Sequence, residues 1–134
     1  MSVLVDTSVW SLALRRSDSK TSKRVKVLRQ LIADGRVRMI GPVRQELLSG
    51  VAQAEQFERL QSLLSAYPDE PIGTADYEAA AEMFNTCRRK GVQGSHIDFL
   101  ICAVACRVGD EIYTTDKDFK RYVKYLPIRL FVPK

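Results

Sequence analysis

The fold is decided by residues 3–10, VLVDTSVW, near the start of the chain. Its first three side chains are apolar and mostly β-branched, which is typical of a short strand buried on both faces. The strand ends at Asp6, and from Thr7 onward the pattern favours a helix. In a parallel α/β sheet the carboxyl ends of all strands open onto one edge, so an acid at this point is well placed for a site.

The rest of the chain alternates strands and helices in the same way. Strands are predicted at 2–5, 37–40, 111–114 and 127–132, with a possible weak strand at 71–72. Helices are predicted at 7–14, 17–34, from 41 onward, 54–66, 74–90 with Thr74 as its cap, 95–108 and 117–125. Such alternation predicts a mainly parallel sheet of roughly five strands covered by helices on both faces, an α/β/α sandwich.

Length and composition indicate one domain over residues 1–134, long enough to bury a core. The net charge of +5 favours a nucleic acid or another acidic partner. Three cysteines form no disulfide framework, which suits a reducing cytoplasm. No signal peptide is expected at the N-terminus, and the longest apolar run, 99–106, is too short to span a bilayer.

Acidic residues fall where predicted strands end or predicted helices begin: Asp6, Glu46, Asp98 and Asp116, with Asp118 close by. Crowded carboxylates resist ionisation unless a cation shares their site. Oxygen ligands suit Mg²⁺ or Mn²⁺. An acidic metal site in a basic protein points to phosphodiester hydrolysis.

Each acid also has a purely structural interpretation. Asp6 could be the N-cap of the next helix, and Glu46 a solvated helix residue. Ser95-x-x-Asp98 and Thr115-x-x-Asp118 are possible capping boxes, which need only local hydrogen bonds. The joint placement of the acids is what favours function.

Several other chemistries are disfavoured. His96 is the only histidine, which excludes a two-histidine ribonuclease mechanism, and no G-x-S-x-G or Walker A motif occurs. A water activated by a metal is therefore the expected nucleophile. A Cys₃His zinc site from Cys87, Cys102, Cys106 and His96 is an alternative, but no C-x-x-C pair supports it.

The motifs resemble those of PIN domains, and specifically of VapC toxins of bacterial toxin–antitoxin pairs. Residues 3–10 are similar to the family's first strand and acidic motif, and residues 42–50, PVRQELLSG, to its second acid on a helix. Asp98, ahead of Ala103, fits the third acid, and residues 114–119, TTDKDF, fit the last. The resemblance covers nearly the whole chain in order.

This resemblance implies a PIN-like three-layer sandwich and an endoribonuclease that cuts single-stranded or loop regions of RNA, with transfer or ribosomal RNA expected. It implies one or two Mg²⁺ or Mn²⁺ ions on Asp6, Glu46, Asp98 and Asp116, with Asp118 secondary. Thr7 or Thr115 would orient a carboxylate or water. It also implies a homodimer and a small VapB-type antitoxin, through which the complex binds operator DNA. Candidate phosphate contacts are Arg44, Arg88, Arg89, Lys117 and Lys120.

Three rival functions stay open at this point. A structure-specific DNA nuclease on the same scaffold would need extra elements to hold duplex DNA. A response-regulator receiver domain would need a phosphoacceptor after its third strand, and no carboxylate ends the weak strand near Ile72. A non-catalytic RNA-binding module would leave the acids unexplained.

Overall fold

Strands and helices alternate along the chain in the computed structural model, which describes residues 1–14 and 22–133. In chain order the elements are β1 (Val3–Val5), α1 (Thr7–Leu14), α2 (Lys23–Ala33), β2 (Val37–Arg38), α3 (Gly41–Ser49), α4 (Ala54–Leu64), α5 (Thr74–Arg89), α6 (His96–Val108), β3 (Glu111–Tyr113) and α7 (Asp118–Tyr122). The predicted α/β class is confirmed.

The sheet is parallel, with β1 at its centre in the order β2-β1-β3. Leu4 pairs with Arg38 on one side and with Ile112 on the other. Because all three strands run the same way, their carboxyl ends lie along one edge. The residues that follow the strands, Asp6 among them, are therefore brought to that edge by topology.

Roughly five strands were expected, and the described residues form three strands flanked by two single parallel bridges. Met39 bridges to Asp69 beside β2, and Ile112 bridges to Leu130 beside β3. The predicted segments 2–5, 37–40, 111–114 and 127–132 thus lie side by side. The fifth place is taken by Asp69, two residues before the predicted weak strand at 71–72, and each outer segment makes only a single bridge. Pro127 and Pro133 lack the backbone N–H that a longer last strand would need.

Both faces of the sheet are covered. Val3, Leu4 and Val5 point alternately to opposite faces, and each is at most 1% exposed. The helices pack in two groups: α5 lies against α6, while α1 contacts α2 and α3, and α3 contacts α4. No helix among residues 1–14 and 22–133 has the length and apolar character that a membrane crossing requires.

Helix α6 lies deepest in the core and carries Asp98 in its first turn. All seven side chains from Phe99 to Ala105 are buried. The Ser95 hydroxyl accepts a hydrogen bond from the Asp98 N–H at 3.1 Å, so Ser95 is the N-cap, as predicted. The helix ends at Gly109, whose φ of +77° favours glycine.

Several predicted helix ends differ from the structure; the helix predicted at 54–66, for example, ends at Leu64. The prediction for residues 17–34 falls partly outside the described residues, and the described helix begins at Lys23 after the cap Ser22. Thr74 does not cap α5: Gly73 occupies the cap position, and its N–H donates to Asp76 Oδ2 at 3.0 Å. Helix α7 ends at Tyr122 instead of residue 125, and residues 123–125 form a turn.

An ion-pair network joins β2, α5 and the end of α6. Arg38 pairs with Asp110 and, at 2.8 Å, with Glu70. Arg107 contacts Glu70 at 3.3 Å and Asp76 at 2.7 Å. The Asp110 and Asp76 side chains are only 2% and 7% exposed, so each carboxylate depends on its arginine for compensation.

This network predicts how stability responds to acid. The hydrogen bond from Arg107, helped by the Gly73 N–H, holds the pKa of Asp76 below its ordinary value of 3.8. An acid whose pKa is lower when folded stabilises the protein above its unfolded pKa and loses that effect as pH falls through the folded pKa. We expect the melting temperature to fall with acidification in that range, and less steeply in Asp76→Asn.

Thermal unfolding followed by circular dichroism between about pH 2 and pH 7 measures this effect. At neutral pH, Asp76→Asn should melt lower than wild type. Glu78→Gln, which changes an exposed carboxylate on the same helix, is the matched control and should follow the wild-type curve. Equal acid dependence in Asp76→Asn and wild type would contradict the assignment.

Candidate active site

The acids predicted from the sequence come from five separate elements. Asp6 follows the central strand β1, and Asp116 follows β3 after two threonines. Asp98 is the third residue of α6, Asp118 is the first of α7, and Glu46 lies in the second turn of α3. Parallel topology accounts for the first two positions, and helix packing accounts for the others.

Asp98, Asp116 and Asp118 form the tightest group of acids. Each offers a carboxylate oxygen, and these oxygens all lie within 4.8 Å of one another. All three residues are partly buried. A secondary role was expected for Asp118, whereas in the structure its carboxylate oxygen lies within 4.8 Å of those of both Asp98 and Asp116. We call these three residues the acidic cluster.

Within the described parts of the chain, no other set of His, Cys, Asp and Glu side chains has metal-ligand spacing. The alternative zinc site is therefore not assembled. Cys87 and Cys102 are buried core residues, and Cys106 donates a hydrogen bond to the Pro127 carbonyl at 3.2 Å. His96 is exposed and stacks on the ring of Phe84, with ring centres 5.0 Å apart.

Asp6 is held by two hydroxyl groups. The Ser8 and Thr114 hydroxyls both donate to Asp6 Oδ2, each at 2.8 Å. The same hydroxyl oxygens accept backbone N–H groups, Ser8 from Thr115 at 3.0 Å and Thr114 from Asp116 at 3.0 Å. The loop after β3 is thereby joined to the start of α1, and Asp6 is only 6% exposed.

Glu46 lies at the exposed rim of the site and is reached through Thr7. The Thr7 hydroxyl donates to Glu46 Oε1 at 2.7 Å. Thr7 directly follows Asp6, so this bond ties α3 to the end of the central strand. The Thr7 hydroxyl thus contacts one of the candidate carboxylates.

The Asp98 side chain lies in the acidic cluster, while its backbone N–H takes part in the helix cap. Its Oδ2 accepts a hydrogen bond from the Tyr122 hydroxyl at 2.7 Å. Burial raises the pKa of Asp98, and the negative charges of Asp6 and Asp116 raise it further, against the hydrogen bonds from Tyr122 and Ser95. The ionised form of Asp98 is thus costly unless a cation is near. Burial and the bond to Asp98 also raise the pKa of Tyr122, which keeps its hydroxyl protonated.

The capping box suggested for Thr115 and Asp118 does not form. The Asp118 N–H donates to Asp116 Oδ1 at 2.9 Å. The backbone N–H of Thr115 donates instead to Ser8. Asp116 therefore organises the first turn of α7 with one oxygen and retains lone pairs for another ligand.

The basic residues predicted to bind phosphate differ in the contacts that they make in the structure. Lys117 and Lys120 are exposed and flank Asp118. Arg44, which was predicted to contact phosphate, donates in the structure to Asp69 at 3.0 Å and to the carbonyls of Leu64 and Tyr67. These hydrogen bonds link α3 to the end of α4 and the segment that follows it.

The other two basic candidates lie at the end of α5. Arg88 donates to Asn85 Oδ1 at 2.9 Å and lies over the ring of Phe84. Arg89 reaches Thr86 at 3.5 Å. Both are exposed, so these local contacts leave them accessible to a phosphate.

The donor set fits a hard divalent cation. Its atoms are all carboxylate oxygens, several of them partly buried and mutually repulsive. Mg²⁺ and Mn²⁺ prefer such oxygens, and a cation would relieve the repulsion. Sequence reasoning missed three supporting residues, Ser8, Thr114 and Tyr122, each a hydroxyl that donates to a candidate acid.

Comparison with known proteins agrees with this geometry. The sequence pattern of the PIN domain matches residues 3–125. VapC ribonuclease Mb1587 of Mycobacterium bovis and ribonuclease VapC11 of Mycobacterium tuberculosis are each 33% identical over 121 residues, covering 87% of this chain and 88% of theirs.

Two solved structures share the fold. FitAcB from Neisseria gonorrhoeae superposes with a TM-score of 0.78 and 22% identity, covering 98% of this chain and 97% of that chain. VapBC2 from Rickettsia felis, solved bound to a DNA fragment from its promoter, gives 0.77 and 19% identity over 100% of both chains.

Proposed function

This chain belongs to the PIN domain family, and within it to the VapC ribonucleases; from that premise we propose that it is the toxin of a toxin–antitoxin pair. Its activity is metal-dependent hydrolysis of phosphodiester bonds in single-stranded or loop regions of RNA, transfer or ribosomal. Residues 1–134 act as a single PIN domain. The observation that carries the proposal is the convergence of Asp98, Asp116 and Asp118 to within 4.8 Å at the edge where Asp6 ends the central strand.

Asp6, Asp98 and Asp116 would hold one or two Mg²⁺ or Mn²⁺ ions, with Glu46 and Asp118 as further ligands. A bound ion of this kind supplies Lewis acidity and lowers the pKa of water near neutrality. The donor chemistry supports this assignment, because all of these ligands are oxygen atoms.

Some residues of the chain orient the candidate metal ligands, and others would attract the RNA backbone. Ser8 and Thr114 fix Asp6, and Thr7 fixes Glu46, so these carboxylates need not reorganise when substrate arrives. Lys117 and Lys120, exposed beside the acidic cluster, would draw the RNA backbone to an otherwise negative site. Arg88 and Arg89 on α5 are further candidates for phosphate contacts.

The partners follow from the relatives. A small VapB-type antitoxin would hold the protein inactive by bringing a basic side chain to the acids, since a guanidinium pairs well with carboxylates. The complex would bind operator DNA through the antitoxin, as the promoter-bound VapBC2 structure suggests. We also propose a homodimer; exposed apolar side chains such as Leu63 and Tyr77 supply surface for these contacts.

The compartment is proposed from the cysteines. Cys87, Cys102 and Cys106 are all free thiols. Free thiols persist in a reducing environment, so we propose that the protein acts in the cytoplasm.

The test of the proposed function compares substrates. Purified protein is incubated with Mn²⁺ and either transfer RNA, ribosomal RNA or duplex DNA, and products are resolved on denaturing gels. We expect defined RNA fragments and intact duplex DNA. Cleavage of DNA with intact RNA would favour the structure-specific DNA nuclease, and binding of RNA without cleavage would favour a non-catalytic module.

A further inference from the structure

Tyr122 is a buried aromatic residue whose polar atom reaches the acidic cluster. It is 0% exposed, and its ring lies against Phe99 and Phe119, with ring centres 4.8 Å and 5.2 Å away. The hydroxyl donates to Asp98 Oδ2 at 2.7 Å. The ring is thus fixed by packing, and its hydroxyl is held at one place relative to Asp98.

Gly94 leaves the space that this contact needs. A Cβ atom at residue 94 would lie 2.2 Å from the Tyr122 hydroxyl oxygen and 2.9 Å from Phe99 Cε2. Gly94 is not among the glycines with positive φ, so its backbone does not require glycine. The missing side chain therefore serves close approach, and a methyl group there would push the hydroxyl away from Asp98.

The candidate site acids differ from structural acids in the kind of group that donates a hydrogen bond to them. Asp76, like Asp98, is the third residue of its helix, but its partner is the guanidinium of Arg107 at 2.7 Å. Asp98 is held by a neutral phenol, and Asp6 is held by the neutral hydroxyls of Ser8 and Thr114. A neutral donor orients a carboxylate without cancelling the charge that attracts a cation.

We propose that Tyr122 is a positioning residue that holds Asp98 ready for a divalent cation, in a space that Gly94 keeps open. The inference rests on the proposed function, because it takes Asp98 as a metal ligand. Donation to Oδ2 limits rotation of the carboxylate and leaves lone pairs free for the ion. Tyr122 itself touches neither substrate nor metal in this role.

The test is the affinity for Mn²⁺, measured by isothermal titration calorimetry on the whole protein without RNA. Tyr122→Phe keeps the ring and removes the hydroxyl. We expect its Mn²⁺ affinity to fall about 10-fold or more, the usual effect of losing a partner that orients a metal ligand. Gly94→Ala should weaken Mn²⁺ binding similarly although the hydroxyl is still present.

The matched control is Tyr113→Phe. Tyr113 is also buried, at 2% exposure, and its hydroxyl donates to the Arg24 carbonyl at 2.9 Å, away from the acids. It should keep wild-type Mn²⁺ affinity while losing a comparable hydrogen bond. Melting temperatures of both variants without metal show whether either change acts through the fold.

The outcomes separate this inference from the proposed function. Equal Mn²⁺ affinity in wild type, Tyr122→Phe and Tyr113→Phe would overturn the positioning role, as would wild-type protein that binds no Mn²⁺. An equal loss in both tyrosine variants would also overturn it, because a general structural effect would then suffice. Wild type that binds Mn²⁺ but leaves RNA intact would overturn the ribonuclease proposal alone.

Discussion

Replacing Asp98 with Asn should lower the rate of RNA cleavage by at least about 100-fold. Loss of a residue that merely orients a metal ligand already costs about 10–100-fold, and Asp98 is proposed as a ligand. Asn keeps the shape of Asp and leaves the Ser95 cap in place, but it removes one negative charge from the acidic cluster. Single-turnover cleavage of transfer RNA in Mn²⁺ measures the effect.

The thermal stability of Asp98→Asn, measured without metal, should not fall along with its cleavage rate. Burial and the charges of Asp6 and Asp116 raise the pKa of Asp98, so its ionised form destabilises the folded protein at neutral pH. Without metal, Asp98→Asn should therefore melt no lower than wild type. Added Mn²⁺ should raise its melting temperature less than that of wild type, because a ligand stabilises the folded state through its affinity.

Asp76→Asn is the control for this experiment. Asp76 occupies the equivalent position in α5 but pairs with Arg107, outside the acidic cluster. That variant should melt lower than wild type and yet keep its cleavage rate and its full Mn²⁺-induced shift. An active Asp98→Asn protein with an undiminished shift would remove Asp98 from the site and reduce it to a helix residue.

The sequence predicted the fold well because its signals are local. The apolar run of β1, the cap Ser95 and the stop Gly109 each lie next to the element they define. The predicted bounds of α1, residues 7–14, agree with the structure for the same reason. The outer strands were less predictable, since strand length depends on partners that are far away in sequence.

Helix packing brings Glu46, Asp98 and Asp118 to the site, but the positions of Asp6 and Asp116 were predictable from the sequence, because the residues after parallel strands meet at one edge. Their hydroxyl partners were not. The Ser8–Thr114 contact spans 106 residues and the Tyr122–Asp98 contact spans 24, and nothing in local spacing predicts either. Thr115 was chosen as an orienting residue, yet the neighbouring Thr114 places its hydroxyl on Asp6.

Arg44 shows the same limit for charged residues. Its positive charge made it one of the candidate phosphate contacts. In the structure its side chain donates to Asp69 and to two backbone carbonyls. Sequence gives the charge of a residue, but only packing shows whether the charge is already paired. Among the described residues, the acids of the cluster make no ion pair, in contrast to Asp76 and Asp110.

Removal of divalent cations should abolish cleavage completely. Excess EDTA removes the cation that offsets the mutual repulsion of the acids. The only histidine, His96, is exposed and stacked on Phe84, so we do not expect it to replace the metal in activating water. Addition of Mg²⁺ or Mn²⁺ beyond the chelator should restore activity, measured on the same transfer RNA.

A second readout makes this result specific to the site. EDTA should lower the melting temperature of wild type, since a ligand at about 100 times its dissociation constant stabilises a protein by about 2.7 kcal/mol. Asp98→Asn should show little change, whereas Asp76→Asn should change as much as wild type. Cleavage that continues at its full rate in EDTA would contradict a metal-dependent mechanism. EDTA could also abolish cleavage without changing the melting temperature of wild type, and the cation would then be bound by the RNA. The reason is that an ion held by Asp6, Asp98 and Asp116 must also stabilise the fold that brings these residues together.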